Sequence, residues 1–519
     1  MAFSKRDKNR VVHSARNIFT TAFFQIILGF VAFAERAVFI RCLSADYLGL
    51  NSLFANVLYV LSIAELGIGS AVAYALYKPL ADQDERKIYL YMRFFKKAYS
   101  LIGLIIIVLG LCLSPFISKL ATSNEKIPYI ELYFIIYLLS VGISYFFSYK
   151  QIIIDADQNK YLSQAIISSG TIVQQLLQMV ILLTTHNYAL YLIIFFILNI
   201  GKYIIISIVA KKKYPVIHKE NFKTDKLSAN EKHSITINVK AMCYHKFGEV
   251  AIGSSDSILI AYLIDIATLG MYANYQLILE ALRSSLRIFN SSVQASIGNL
   301  CATESSDKIY SSFKTLNFTN YILHSYQPIV AIFFGKRFLL ADSTVFLIAI
   351  SIFLSGTRLM ILNYHDAYGL FWADRYKRVL EAIVNLVVSF CLGKKYGING
   401  IFLGTIMSNL VGFGIEGFVV YKHAFKKTVR SYVFTYILQL IVTIMIMLVT
   451  YCLANLVESN VFIELLYHLV LCLTVPLLLY YLIYRKNPDF IAMKNNAIDM
   501  CKMVLAKRRK NKSDEVNVE

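Results

Sequence analysis

Arg283 and Arg287 stand one helical turn apart in a stretch that is otherwise largely apolar. Counted at 1.5 Å per residue from the outer end of a helix drawn over 269–299, they lie about 20 and 26 Å deep, past the midplane of a bilayer. Each guanidinium facing lipid there would cost roughly 2.5–3.5 kcal/mol. A pair of forked cations in a water-filled cavity could instead grip phosphate oxygens bidentately, which implies an anionic cargo. Neutralisation by Glu280, three residues before Arg283, or by Asp256 on the preceding helix is the alternative, as is snorkelling of the charged ends.

Other in-span charges have comparable potential. Glu65, in Ala64-Glu65-Leu66-Gly67-Ile68-Gly69, falls about 25 Å into its helix, where two glycines permit a kink or close helix approach. It could couple a cation or pair with a basic neighbour. Asp256 is flanked by Ser254, Ser255 and Ser257 and suits an ion, a sugar or an interhelical hydrogen bond. Glu35-Arg36, with Arg41 nearby, reads as an interfacial pair. Gly400, Gly404, Gly412, Gly414 and Gly417 read as tight helix packing.

Covalent chemistry finds little footing. Gly-x-Ser-x-Gly, Gly-x-x-x-x-Gly-Lys and His-Glu-x-x-His are all absent, so the reading is of a non-enzyme with no cofactor. The nine histidines are dispersed, and the eight cysteines show neither Cys-x-x-Cys nor His at zinc spacing.

The elements that position these residues are membrane helices. The 519-residue chain is 57% hydrophobic and 16% charged, far from the usage of soluble domains. Apolar runs near the bilayer-spanning length recur from end to end. The spans are drawn at 17–41, 48–77, 94–120, 129–153, 161–185 and 187–210, then 236–264, 269–299, 311–334, 339–362, 377–393 and 397–421, then 431–456 and 461–484. This is an all-α integral membrane protein of about fourteen transmembrane helices. It divides into a six-helix bundle over 1–210, a polar linker over 211–235, a second six-helix bundle over 236–421, a helix pair over 422–484 and a basic tail over 485–519. The ninth span is the weakest, interrupted by Lys314, Asn317, Asn320, His324 and Pro328.

With the N-terminus inside, most of the 52 Lys and Arg fall at inner ends and loops, and both termini are cytoplasmic. The net charge of +20 is thus topological rather than a sign of nucleic-acid binding. Lys211–Lys213 and Lys507–Lys510 read as anchors to lipid headgroups. Ala32-x-Ala34 after a basic start resembles a signal-peptide cleavage site, but the apolar run is too long and the reading is an uncleaved first span. Outer loops are too short for a catalytic domain. A faint repeat links the halves: Glu35 precedes Leu48-Gly49 by the same 13 and 14 residues that separate Asp256 from Leu269-Gly270.

Tyr47-Leu48-Gly49-Leu50-Asn51, Ala64 to Gly69 and Leu76-Tyr77-Lys78-Pro79-Leu80-Ala81 resemble the polysaccharide flippase family. Ser255-Asp256-Ser257, Gly270-Met271-Tyr272-Ala273-Asn274-Tyr275 and Gly298-Asn299-Leu300 continue the resemblance into the second half, while the last two spans match in hydropathy alone. The resemblance implies the fold of the multidrug, oligosaccharidyl-lipid and polysaccharide exporter superfamily, two bundles rocking between inward-open and outward-open states. It also implies a polyprenyl-pyrophosphate-linked oligosaccharide as cargo, flipped across a bacterial cytoplasmic membrane for a surface polysaccharide such as capsule or O-antigen, beside polymerase machinery.

On that reading Arg283 and Arg287, with Arg36 and Lys78 near the two mouths, attract the pyrophosphate. Glu65 and Asp256 are the candidates for coupling to Na+ or H+, and Glu35 and Glu280 complete the polar set. Arginines in the eighth span depart from the mostly neutral helix expected of relatives. Two rivals remain: a cation-coupled drug exporter of the same superfamily, expected to be rich in acids, and a membrane glycosyltransferase or polymerase, expected to carry a large outer loop.

Overall fold

A computed structural model describes residues 5–65, 68–122, 127–157, 159–218, 252–335, 340–370, 373–456 and 461–499, with 222, 225, 227, 250 and 502. Several side chains inside helices, that of Arg287 among them, are outside the description. So are most of the polar linker, the first half of the seventh span and the end of the basic tail.

The protein is all-α. In hydrocarbon every backbone N–H and C=O must find its partner within the chain, and the helix provides it locally. The helices are α1 (Lys5–Cys42), α2 (Ala45–Leu61), α3 (Ile68–Asp82), α4 (Glu85–Leu120), α5 (Ile130–Ala156), α6 (Lys160–Thr185), α7 (Tyr188–Lys213) and α8 (Ile252–Leu263). They continue with α9 (Ile266–Thr303), α10 (Ser306–Gly335), α11 (Asp342–Thr357), α12 (Leu359–Ala367), α13 (Lys377–Tyr396), α14 (Ile398–Val420), α15 (Arg430–Ala454) and α16 (Val461–Tyr484). Among the described residues eight helical segments are long and apolar enough to cross a membrane by themselves. Their outward faces carry bare Phe30, Leu104, Val180 and Ile441, an apolar surface that lipid solvates and water does not.

Two compact units divide the chain at residues 274 and 275, inside α9. In the first, α1 packs on α6, α4 on α5, and α7 on both α5 and α6. Leu76, Met92, Phe95, Tyr99, Ile153 and Ile206 form one buried cluster there. The two Leu-Gly pairs of the faint repeat meet in this unit. A Cβ on Gly49 would overlap the Ile266 carbonyl oxygen, and one on Gly270 would overlap that of Ala45, so α2 and the start of α9 touch backbone to backbone.

In the second unit α13 packs on α14, and α11 lies against α10 and α14. Its core is aromatic: Phe313, Tyr321, Phe353 and Tyr364 are all buried, and Tyr436 shares a 2.9 Å hydrogen bond with the Thr357 hydroxyl.

Two spans differ in detail from their drawn form, and a third, drawn as the weakest, is a complete helix. The second, drawn unbroken over 48–77, is interrupted: α2 stops at Leu61, a 3-10 turn runs over Ser62–Glu65, and α3 starts at Ile68. Ser62 donates to the Tyr59 carbonyl at 2.6 Å, a back-bond of the kind that bends helices. The tenth is divided at Arg358 between α11 and α12. The ninth is a full 30-residue helix, because its polar residues serve helix packing. Asn320 donates to the Gly356 and Thr357 carbonyls at 3.3 and 3.1 Å. His324 contacts the Asn320 carbonyl at 2.9 Å and packs where a Cβ on Gly356 would otherwise sit.

Candidate functional site

The interruption after α2 leaves Glu65 at the end of its 3-10 turn, half-buried between α4 and α5. Tyr99 of α4 and Tyr145 of α5 donate to its two carboxyl oxygens at 3.2 and 3.0 Å. Their rings stack 6.3 Å apart, which fixes both hydroxyls toward one point. Gly69 makes room: a Cβ there would lie 2.9 Å from the Tyr99 hydroxyl oxygen. Among the described residues no basic side chain forms an ion pair with Glu65. The described partners of this carboxyl group are thus neutral donors.

The remaining sequence-derived candidates are spread over both units. In the first, Glu35 is buried on α1 and accepts from the Tyr191 hydroxyl at 2.7 Å, with Arg36 half-buried beside it. Lys78 is exposed near the end of α3. Asp256 is buried on α8 among Ser254, Ser255 and Ser257, all buried as well. In the second, Glu280 and Arg283 are exposed one turn apart on α9. Arg287 lies on the same helix, its side chain beyond the description.

Two groups escaped the sequence reading. Lys202 is buried on α7 and donates to the Thr171 hydroxyl at 3.2 Å and to the Gln174 amide oxygen at 3.0 Å, both on α6. Its methylene stem fills the space over Gly170. Gln174 continues the chain of hydrogen bonds to Gln178 at 3.2 Å.

The larger group centres on Arg358, buried where α11 meets α12. Its guanidinium forks onto both oxygens of Glu416, at 2.9 and 2.6 Å, and also reaches Glu381 at 2.5 Å and Asn409 at 3.1 Å. Lys377 bridges Glu416 at 3.0 Å to Asp374 at 2.7 Å, and Arg378 reaches Glu381 at 3.1 Å. Each ring nitrogen of His365 stands 3.0 Å from a carboxylate oxygen, one of Asp366 and the other of Asp374. Three basic side chains thus meet the buried Glu381 and Glu416 and the half-buried Asp374. Burial raises the Asp374 carboxyl, but His365 and Lys377 more than offset it and hold the group down at about 2.

Gly412 belongs to this cluster, not only to helix packing. A Cβ on it would overlap a Glu381 carboxyl oxygen and the Arg358 guanidinium. The sequence did carry a cue: Arg358, Glu381 and Glu416 all fall inside drawn spans, where an ionisable group demands a partner. What one sequence could not supply was that three different spans bring them to one place.

Among the described residues no group of three His, Cys, Asp or Glu is placed to hold a metal ion. No family profile matches the sequence, and no curated protein matches it. Solved structures do match in fold. An inward-facing multidrug resistance MATE family transporter of the MOP superfamily superposes with a TM-score of 0.63 at 12% identity, over 79% of this chain and 99% of its own. The lipid II flippase MurJ, in an inward closed conformation, superposes with a TM-score of 0.58 at 15% identity, over 92% of this chain and 99% of its own. A mutant form of the Vibrio cholerae MATE transporter VcmN gives 0.52 at 13% identity, over 80% of this chain and 99% of its own. The chain therefore has the all-helical membrane fold seen in MOP-superfamily transporters and in MurJ.

Proposed function

We propose that the protein is a flippase for a polyprenyl-pyrophosphate-linked oligosaccharide, moving it from inner to outer leaflet by alternating access and with no covalent chemistry. The observation that carries this reading is Arg283, an exposed guanidinium on α9 at a depth where the sequence places hydrocarbon, with Arg287 one turn on. A pyrophosphate needs such forked donors, the glycan needs a wet passage, and the prenyl tail can stay in lipid. Arg36 and Lys78 serve as further electrostatic attraction at the two mouths, with Glu280 and Glu35 as polar lining. The setting is a bacterial cytoplasmic membrane, with both termini inside. Among the proteins that share the fold, MurJ is itself named a flippase of lipid II.

Glu65 is the first candidate for energy coupling. Two phenol donors hold its carboxylate without cancelling its charge, so H+ or Na+ can bind and leave as the protein alternates. Asp256 is the second candidate. The same Glu65 site favours a second reading, a cation-coupled small-molecule exporter, since other proteins of this fold are named multidrug transporters.

Depleting the protein in its host and measuring lipid-linked glycans by mass spectrometry separates the readings. Accumulation of complete repeat units on the inner leaflet is expected of the flippase; unchanged glycan lipids with altered drug efflux would support the exporter. Replacing Arg283 and Arg287 together by Gln should cut glycolipid transport while leaving membrane insertion intact. Unaltered transport in that variant would remove the phosphate-gripping role.

A further inference from the structure

The first unit carries a groove that neither the cargo reading nor the coupling reading uses. It encloses about 680 Å³ and lies between α4 and α5. Along α4, Arg93, Lys97, Leu101 and Leu104 line it at spacings of four, four and three residues, a single helical stripe. Lys96 adds a third cation, and Phe146 forms the opposite wall. Lys150 of α5 stands within electrostatic reach of Lys96 and of Lys211, so positive charge gathers at this end from three helices. Among the described residues that line the groove none is acidic.

The two ends of the stripe ask for different solvents. Lys96 and Lys97 are exposed at the basic end, while Leu101 and Leu104 are 58% and 53% exposed at the other. From Arg93 to Leu104 the rise is about 16 Å, enough to pass from headgroup level into acyl chains. A free phosphate would leave the leucines unused, and an apolar ligand would leave Lys96 and Lys97 uncompensated.

We propose that this groove is a binding site for an anionic glycerophospholipid of the bilayer, its phosphate on Lys96, Lys97 and Arg93 and its first acyl carbons along Leu101, Leu104 and Phe146. Basic pockets between transmembrane helices recognise lipid phosphates in this way, each Lys or Arg contributing about 1 kcal/mol. The volume suits a glycerol headgroup with part of one chain. The site is independent of the arginines on α9 and of what the protein transports.

Native mass spectrometry of the full chain, released from membranes containing phosphatidylglycerol, cardiolipin and phosphatidylcholine, tests this. Retained phosphatidylglycerol or cardiolipin, in excess over phosphatidylcholine, is expected. K96Q/K97Q should weaken that retention by roughly fivefold per charge removed, about 25-fold in all, from the energy given above. K394Q/K395Q, which removes two exposed lysines of the second unit, should leave it unchanged. Circular dichroism confirms that both variants are folded. Equal retention of all three lipids, or wild-type retention in K96Q/K97Q, would overturn the site; displacement by polyprenyl pyrophosphate but not by cardiolipin would overturn its occupant.

Discussion

Glu65 and Arg358 both stand where a membrane helix is interrupted, yet their surroundings are opposite. Glu65 meets only tyrosine hydroxyls among the described residues. Arg358 meets two buried carboxylates, which Lys377 and Arg378 balance in turn. A charge surrounded by partners of opposite sign gains little from a further ligand and resists change, because breaking any one contact strands another charge in a dry interior. A carboxyl group held by neutral donors has no such lock. The second unit thus uses its buried charges to join α11, α13 and α14.

Truncation of the locked cluster should give the largest effect. Glu416→Ala leaves Arg358 and Lys377 short of a carboxylate, and a loss of about 3–5 kcal/mol is expected in thermal unfolding of the purified protein. Replacing Arg358 and Glu416 together by Met should recover much of that loss. If Glu416→Ala proved as mild as a surface change, the contrast between the two regions would collapse.

Gly412→Ala comes next, at about 3 kcal/mol, since its methyl would occupy the place of the Glu381 carboxylate. Ala at Gly414, where a Cβ would meet nothing within 4 Å, is the matched control.

Acid should loosen the cluster in a defined window. A carboxyl lowered in the folded state stabilises above its ordinary value and loses that contribution as pH falls. For Asp374 the loss begins near the usual carboxylate range of about 4 and is complete below about 2. About 2 kcal/mol is at stake. Asp374→Asn should flatten this part of the pH–stability curve, and an unchanged curve would reject the assignment.

The smallest stability effect, under about 1 kcal/mol, is expected for Glu65→Gln, which retains an acceptor for one tyrosine and removes only the charge. Its transport should nonetheless lose dependence on the proton or sodium gradient, read in reconstituted vesicles. Tyr99→Phe with Tyr145→Phe sharpens the point by leaving the carboxylate in place but without its donors. A large drop in the unfolding temperature of Glu65→Gln would make it a structural anchor like Glu416.

How much was visible beforehand differs by level. Helix content, the rough span positions and the exceptional placement of Glu65 were legible, because a bilayer admits few structures and punishes charge wherever it occurs. Leu48-Gly49 and Leu269-Gly270 were legible as a repeat but not as a contact; only the fold brings Gly49 against Ile266 and Gly270 against Ala45. The ninth span was drawn as a helix but looked weak because Asn320 and His324 are hostile to hydrocarbon until α11 supplies their partners.

The sequence by itself determined that this chain lives in lipid, since twenty-residue apolar runs are a local property and need no partner to be recognised. Tertiary structure alone decided which partners each intramembrane ionisable group meets. Compensation depends on distances of about 3 Å between residues far apart in the chain, such as Arg358 and Glu416, or Glu65 and Tyr145. Hydropathy records the cost of each charge, and only packing shows how that cost is met.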